Sequence, residues 1–402
     1  MKVAVIGGGA AGFFAALSAK KHSPQAEVVI FEKSNKLLAK VKISGGGRCN
    51  VTHACFKASM LSKFYPRGAK QLKKSFALFN TNHTIAWFKE RGVELKTEAD
   101  NRMFPITDTS ITIINCFLDE ARRLGLKIEK ETAVTKIVQV NNKINLTIDG
   151  FDYIYDKVIV ATGGSPKLEG LNWLKSLGHT IVHPLPSLFT FNMPNEEIKT
   201  LQGLSVKNAI VRIQGTKLVH DGPLLITHWG MSGPAILKTS AWGARDLANL
   251  NYEFKVLINW VGISNEDEVR TLLNRHCYNY DKKKVENSNP FEIPSRLWKY
   301  LLEKSELEGG KMNCDLSKKE KNKLINTLLN DVFEVKGKTT FKEEFVTCGG
   351  VCLNDVDMKT MQSKVLSNLY FAGEVLNIDG VTGGFNFQAA WTTGYIAGQL
   401  KN

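Results

Sequence analysis

Glycines at 7, 9 and 12, followed by a carboxylate at Glu32, are residue types that at this spacing could hold a nucleotide. Gly7-Gly8-Gly9-Ala10-Ala11-Gly12 satisfies the pattern GxGxxG. Gly7 permits a tight turn, Gly9 lets the backbone approach a pyrophosphate, and Gly12 lets a helix pack closely on a strand. Glu32 can accept hydrogen bonds from both ribose hydroxyls and would repel a 2′-phosphate, so the ligand implied is an ADP moiety, as in FAD or NAD. Lys33 follows it within the same candidate site. The flanking chain supplies the elements this chemistry needs. Lys2 to Ile6 is a β-branched run that reads as a doubly buried strand, an alanine-rich helix runs from Ala11 to about Lys21, and Glu27 to Phe31 reads as the next strand. The helix start then offers free N–H groups and its positive dipole end to the phosphates.

Four later segments carry the remaining candidates. In Lys42 to Thr52, three glycines precede Arg48, Cys49 and Asn50, a composition that suits neither helix nor strand. Gly46, Gly47, Arg48, Cys49 and Asn50 would lie along the pyrophosphate and ribityl chain, with Arg48 as a permanent cation. Lys157 to Val160 reads as a strand that delivers Ala161, Thr162 and Gly163. Leu369 to Phe371 reads as another, delivering Gly373 and Glu374. Gly380 to Gln388 pairs Gly384 with Asn386 and Gln388, the side chains expected to bond ring atoms of a flavin, ahead of a closing helix expected near Gln388. The alanine-threonine-glycine strand end and the Ala-Gly-acid strand end resemble those of flavoproteins of the two-dinucleotide-binding type. A plain NAD dehydrogenase would have no use for the C-terminal strand, so FAD is the expected cofactor.

Composition bounds the classes. The chain has 402 residues, 43% hydrophobic and 23% charged, which suits a globular protein of two or three domains and excludes a chain disordered throughout. The formal net charge of +14 permits nucleic acid, a membrane surface or an anionic ligand as partner. The positive charges read as dispersed, with Lys282-Lys283-Lys284 and Lys318 to Lys323 as the densest clusters and no nucleic-acid-binding motif beside them. Seven scattered cysteines form no CxxC pair, so no metal site is expected and reduced thiols in a cytoplasmic protein are. No apolar stretch is long enough to span a bilayer and no signal peptide is evident.

The middle of the chain reads differently. His183-Pro-Leu-Pro-Ser187 reads as a linker. Alternating runs at Ala209 to Gln214 and Tyr252 to Trp260 suit short strands. The segment from Asn265 to Leu307 is charged and helix-like, and Ser317 to Glu320 is a capping box ahead of Leu324 and Leu328. Thr227 to Pro234 opens an apolar helix with Ser232 as its expected cap, or else forms an anion or substrate site near His228.

SGGGRCNVT (44–52), ATGG (161–164), THWGMSGPAIL (227–237), TCGGV (347–351) and YFAGEVLNIDGVTGGFNFQAAWTTGYIAG (370–398) together resemble the BaiN-like flavoproteins, also labelled aminoacetone-oxidase-like. The resemblance covers essentially the whole chain. It implies an α/β fold: an FAD-binding Rossmann-like domain of the glutathione-reductase (GR2) type, with an inserted β-barrel-like domain that carries a small helical subdomain. The expected boundaries are 1–188 with 345–402 for the FAD domain and 189–344 for the insert, β-rich over 189–262 and 308–344 and helical over 263–307. The implied activity is hydride transfer through flavin N5 on a small organic substrate, with NAD(P)H as a transient reductant because no second nucleotide fingerprint is present. An RNA-associated, tRNA-modifying-like flavoprotein is the alternative, motivated by the charge and opposed by the lack of an aromatic-interleaved basic stripe. No catalytic acid–base pair and no oligomeric state follow from the sequence.

Overall fold

A computed structural model describes residues 1–338 and 346–401. The chain forms two compact units, Met1–Pro186 with Val346–Asn402, and Ser187–Phe345. The expected junction at 344/345 lies outside the described residues.

The first unit is built on a seven-stranded sheet. Its central strands, in spatial order Leu369–Phe371, Lys157–Val160, Lys2–Ile6, Glu27–Phe31 and Lys127–Glu129, are parallel throughout. Parallel strands covered on both faces should be continuously apolar, and Val3, Ala4, Val5 and Val158 to Val160 are fully buried. Two helices, Ala10–His22 and Phe385–Gly398, cover one face against each other. Their contact explains two glycines: a Cβ on Gly394 would stand 2.7 Å from Ala11 O, and one on Gly398 would stand 2.3 Å from Ala15 O. The N-terminal helix answers with alanines, so the two backbones approach closely. Around this seam Phe14 meets Trp391 and Trp87 at ring separations of 5.5 and 4.7 Å, and Phe117 meets Trp391 at 5.4 Å. Each such buried aromatic contributes about 1.5–3 kcal/mol.

Two local expectations are corrected. The closing helix begins at Phe385, because Gly384 sits at φ 91° and can only precede it. His183 to Ser187 belongs to the strand Ile181–Ser187, which pairs with Val346–Val351 instead of acting as a linker. The chain enters this strand as an edge, where prolines remove no needed donor.

The second unit holds a six-stranded sheet, and a bridge between Phe191 and Lys338 joins its first strand to the chain just beyond its last, so the sheet is nearly a closed barrel. The strands Ser205–Ile213 and Glu253–Asn259 overlap the two alternating runs. The capping box forms, with Ser317 and Glu320 bonding each other's backbone N–H groups at the start of the helix Lys318–Asn330. That helix corrects the expected limits of the helical subdomain: helical structure extends to Asn330, and among the described residues from 308 to 338 only Asp331–Lys336 is strand. The helices are not peripheral, because Leu273, Trp298, Leu301 and Leu324 share one apolar core with Val211, Ile226 and Val256 of the sheet. Pro234 does open a helix, but Ser232 lies in a strand and Gly233 is the cap. No helix among the described residues is long and apolar enough to cross a membrane.

Candidate nucleotide and flavin site

The loops that follow the carboxyl ends of the parallel strands converge in the first unit, where ligands of open α/β sheets bind. At the first crossing the glycines divide into two kinds. Gly7 (φ 114°) and Gly12 are packed by backbone: a Cβ would stand 2.4 Å from Ala161 O on the first and 1.9 Å from Gly7 O on the second. Gly9 is the opposite case, with nothing within 4 Å of where its Cβ would stand. It caps the helix Ala10–His22 without any side-chain hydrogen bond, so Ala10 and Ala11 open a helix whose N-terminus faces free space. Gly46, Gly47 and Gly163 are equally unhindered. Each of these three loops thus presents bare backbone, as a cradle for an extended ligand requires.

Glu32 ends the second strand, where its carboxylate accepts from Gly8 N at 2.8 Å and from Ser34 N and Oγ at 2.9 Å. It is thereby fixed beside the first glycine turn, with Lys33 exposed behind it. Leu38 N donates to Gly8 O, which draws the following chain across the same turn.

The segment 44–50 is bent as its composition requires. Gly45, Gly46 and Gly47 have φ of 57°, 69° and 84°, and Cys49 adopts 63° despite its side chain. Cys49 is fully buried, and burial pushes its thiol up to about 12, so it is a protonated packing group. Arg48 departs from the sequence-based expectation. Its guanidinium hydrogen-bonds Glu98 at 2.6 Å, reaches Asp108 at 3.3 Å and stacks 4.0 Å over Phe104. The bond to Glu98 raises its pKa further. Arg48 is therefore a brace between segments, its charge answered by two carboxylates. Asn50 is buried, and with its amide turned to satisfy its neighbours Oδ1 accepts from Gly384 N at 3.0 Å while Nδ2 donates to Thr52 O at 2.9 Å. One side chain thus ties two loops more than 330 residues apart in sequence.

Ala161 N donates to Ile6 O, and its own carbonyl closes over Gly7, with Thr162 and Gly163 beyond. Gly373 N donates to Thr393 Oγ1, and a Cβ there would meet Ala11 at 2.6 Å. Glu374 accepts from Thr347 N at 2.8 Å and pairs with Lys40 at 2.7 Å, so its longer side chain is used within the protein.

The two amides expected to bond a flavin ring are held by protein groups. Asn386 closes on the Gly380 turn, accepting from its N and donating to its O at 2.8 and 2.9 Å. Gln388 is fully buried: Oε1 accepts from Thr52 and Thr84 hydroxyls at 2.6 and 2.9 Å, and Nε2 donates to Thr392 at 3.1 Å. Two lone pairs are thereby filled and one donor committed, which removes Gln388 as a ring contact. The first helical turn it brackets keeps its N–H groups, so backbone and not amide side chains is what this loop offers.

Sequence reasoning passed over several neighbours. His53 Nδ1 lies 3.1 Å from Gly383 O, and its ring packs at 4.5 Å on Phe385, itself stacked on Phe64 at 4.3 Å. Asn377, whose N donates to Val351 O, leaves a buried Oδ1 without a partner. Gly349 and Gly350, in the TCGGV motif beside it, have φ of 115° and 122°. That glycine pair was the available signal for Asn377.

A family described as HI0933-like protein Rossmann domain matches residues 1–400. The chain belongs to this family. As an HI0933-like protein it is 26% identical over 409 residues to the 3-dehydro-bile acid delta(4,6)-reductase of Clostridium scindens, covering 99% of this chain and 98% of the relative. It is also 26% identical over 410 residues to the ribosomal RNA dihydrouridine synthase of Escherichia coli, covering 98% and 96%. Among solved structures, the 3-ketosteroid delta1-dehydrogenase of Sterolibacterium denitrificans shares the fold, with a TM-score of 0.52 at 11% identity over 98% of each chain. The HI0933-like chain is an FAD-dependent oxidoreductase.

Proposed function

We propose that the protein reduces a carbon–carbon double bond conjugated to a carbonyl, with NAD(P)H as the reductant. Bound FAD supplies the hydride donor and acceptor at N5. The balance is NAD(P)H plus a proton plus the unsaturated compound, giving NAD(P)+ and the saturated carbonyl. The observation that carries the cofactor site is the set of four glycines, at 9, 46, 47 and 163, with empty space where side chains would stand. The residues fit a dinucleotide. Gly9, Ala10 and Ala11 would offer N–H groups to the pyrophosphate, with Gly46, Gly47, Thr162 and Gly163 flanking it. Glu32 would hold the ribose, and the Gly384 end would approach the ring with backbone dipole. Asn377 Oδ1 is a buried polar atom left to face ring or substrate.

The bond class is supported by the two relatives. One is named for a 3-dehydro bile acid delta(4,6) system and the other for the uridine of ribosomal RNA. In both, the double bond is polarised by a carbonyl, so a hydride can add to the distal carbon and a proton to the other. Anaerobic titration with NADH and NADPH, followed by assay on a steroid dienone and on uridine-containing RNA, tests the reading. Flavin bleaching without reoxidation by either substrate would refute the bond class. Failure of both nucleotides to bleach it would refute the reductant.

A further inference from the structure

The first unit carries a separate sheet of three antiparallel strands, Val134–Val140, Lys143–Ile148 and Phe151–Tyr155 in that spatial order, so its first and last strands are both edges. The first edge is guarded. A bulge lies between Val134 and Lys136, Lys136 is exposed, and Gln139 Nε2 is tied to Ser367 Oγ at 2.8 Å. The last edge carries none of these devices. It pairs with its neighbour without a break, from Ile148 opposite Phe151 to Ile144 opposite Tyr155, and it contains no lysine and no proline. Phe151, Tyr153 and Ile154 are 69%, 47% and 54% exposed, so three large apolar side chains stand in water along one short strand.

Geometry decides which main-chain groups are open. Asp149 (φ 49°) and Gly150 (φ 84°) form a two-residue turn, so Ile148 and Phe151 exchange hydrogen bonds, and Tyr153 and Tyr155 face inward as Phe151 does. Asp152 and Ile154 therefore point their N–H and C=O groups away from the sheet. Asp156 continues that alternation, and its N donates to Lys2 O at 2.9 Å. No such partner meets the main chain of Asp152 or Ile154 among the described residues. The open edge thus runs from Phe151 to Tyr155 and stops at Lys2.

We infer that this edge pairs with the same edge of a second copy of the chain, antiparallel about a two-fold axis at Tyr153, joining two three-stranded sheets into one. In that register Asp152 stands opposite Ile154 of the second copy, and each such pair closes two main-chain hydrogen bonds. Phe151 stands opposite Tyr155, and Tyr153 opposite its own counterpart, on the face that Leu146 and Ile148 share. Charge selects a second copy as the occupant. The chain carries +14 overall, so most of its surface repels its like, yet residues 134–156 hold Lys136 and Lys143 against Asp149, Asp152 and Asp156. The two-fold also sets the turn at Asp149 of each copy against the end of the other strand, where Lys2 and Lys143 flank Asp156. One short strand per copy makes a small interface, so the dimer depends on concentration.

Sedimentation velocity of the FAD-loaded protein over roughly 1–300 μM, the range suited to so small an interface, should show monomer passing into dimer. Ile154→Pro removes one outward N–H per copy and leaves the inward ladder intact, so the dimer dissociation constant should rise roughly tenfold or more. Tyr153→Lys sets two ammonium groups against each other and should abolish the dimer. Val140→Lys adds the same charge to the guarded edge and should leave the dissociation constant unchanged. Circular dichroism and visible spectra matching those of the unaltered protein keep folding out of the comparison, and Tyr153→Lys carries the test alone should Ile154→Pro unfold. A protein that stays monomeric throughout would overturn the inference, as would equal loss from Tyr153→Lys and Val140→Lys. So would growth past the dimer into open-ended species, or a dimer that survives both Ile154→Pro and Tyr153→Lys.

Discussion

The N-terminal glycine turn and the C-terminal glycine loop use similar residues in opposite ways. At 7–12, two glycines are locked by backbone contacts and one faces open space, so the turn is rigid and its free side is reserved for a ligand. At 380–388, the glycines still bend the chain, yet Asn386 and Gln388 spend their polar groups on the protein itself. The first region is a site framed by bare backbone. The second is a braced turn whose amides fix geometry and leave the backbone to act. Polar side chains beside a glycine loop are therefore not evidence of ligand contact until their partners are counted.

The sharpest break of that comparison is Gly12→Ala. Its methyl would meet Gly7 O, which belongs to backbone and cannot swing away, so stability should fall by about 1–3 kcal/mol or more and the protein should purify colourless. Urea melts of the apoprotein read the first effect and the visible spectrum reads the second. Gly9→Ser should separate them. Serine suits the cap of the helix Ala10–His22 and meets no protein atom, so the apoprotein melt should hold or improve while the FAD dissociation constant rises roughly tenfold or more. An unchanged affinity would mean the open side of the turn does not receive the cofactor.

Gln388→Leu probes the other loop. It strands the hydroxyl donors of Thr52 and Thr84 in the core, so a stability loss of about 1–3 kcal/mol is expected with an unshifted flavin spectrum. A spectral shift at unchanged stability would restore Gln388 as a ring contact. Arg48→Gln should have the smallest effect, changing FAD affinity by less than about threefold, because its charge is already answered by two part-exposed carboxylates. Lys96, and then Arg48, hold the Asp108 carboxyl below its usual range. Their small stabilising effect is present above that range and disappears as the pH falls through the lowered value, so any stability difference between Arg48→Gln and wild type should vanish in acid. Acid titration of both proteins by circular dichroism checks it.

Much of this was legible in the chain. The strand, turn, helix, strand and acid from Lys2 to Glu32 stand at their expected positions because each depends on neighbours in sequence: β-branched runs, a glycine turn, an alanine-rich face. The barrel strands at 205–213 and 253–259 followed from alternation. The extent of the helical subdomain did not, because Lys318–Asn330 joins its neighbouring helices through a core that local sequence does not define.

The sequence by itself determined where the backbone turns and which strands are buried on both faces, because these follow from side-chain volume and branching along one stretch of chain. Only the tertiary structure decided whose polar groups remain free. Arg48 meets Glu98 and Asp108, Glu374 meets Thr347 and Lys40, and Gln388 meets Thr52 and Thr84 across separations that no local pattern encodes. A buried polar atom must find a partner, and whether that partner is protein or ligand is fixed by which distant segments the folded core brings within hydrogen-bond reach.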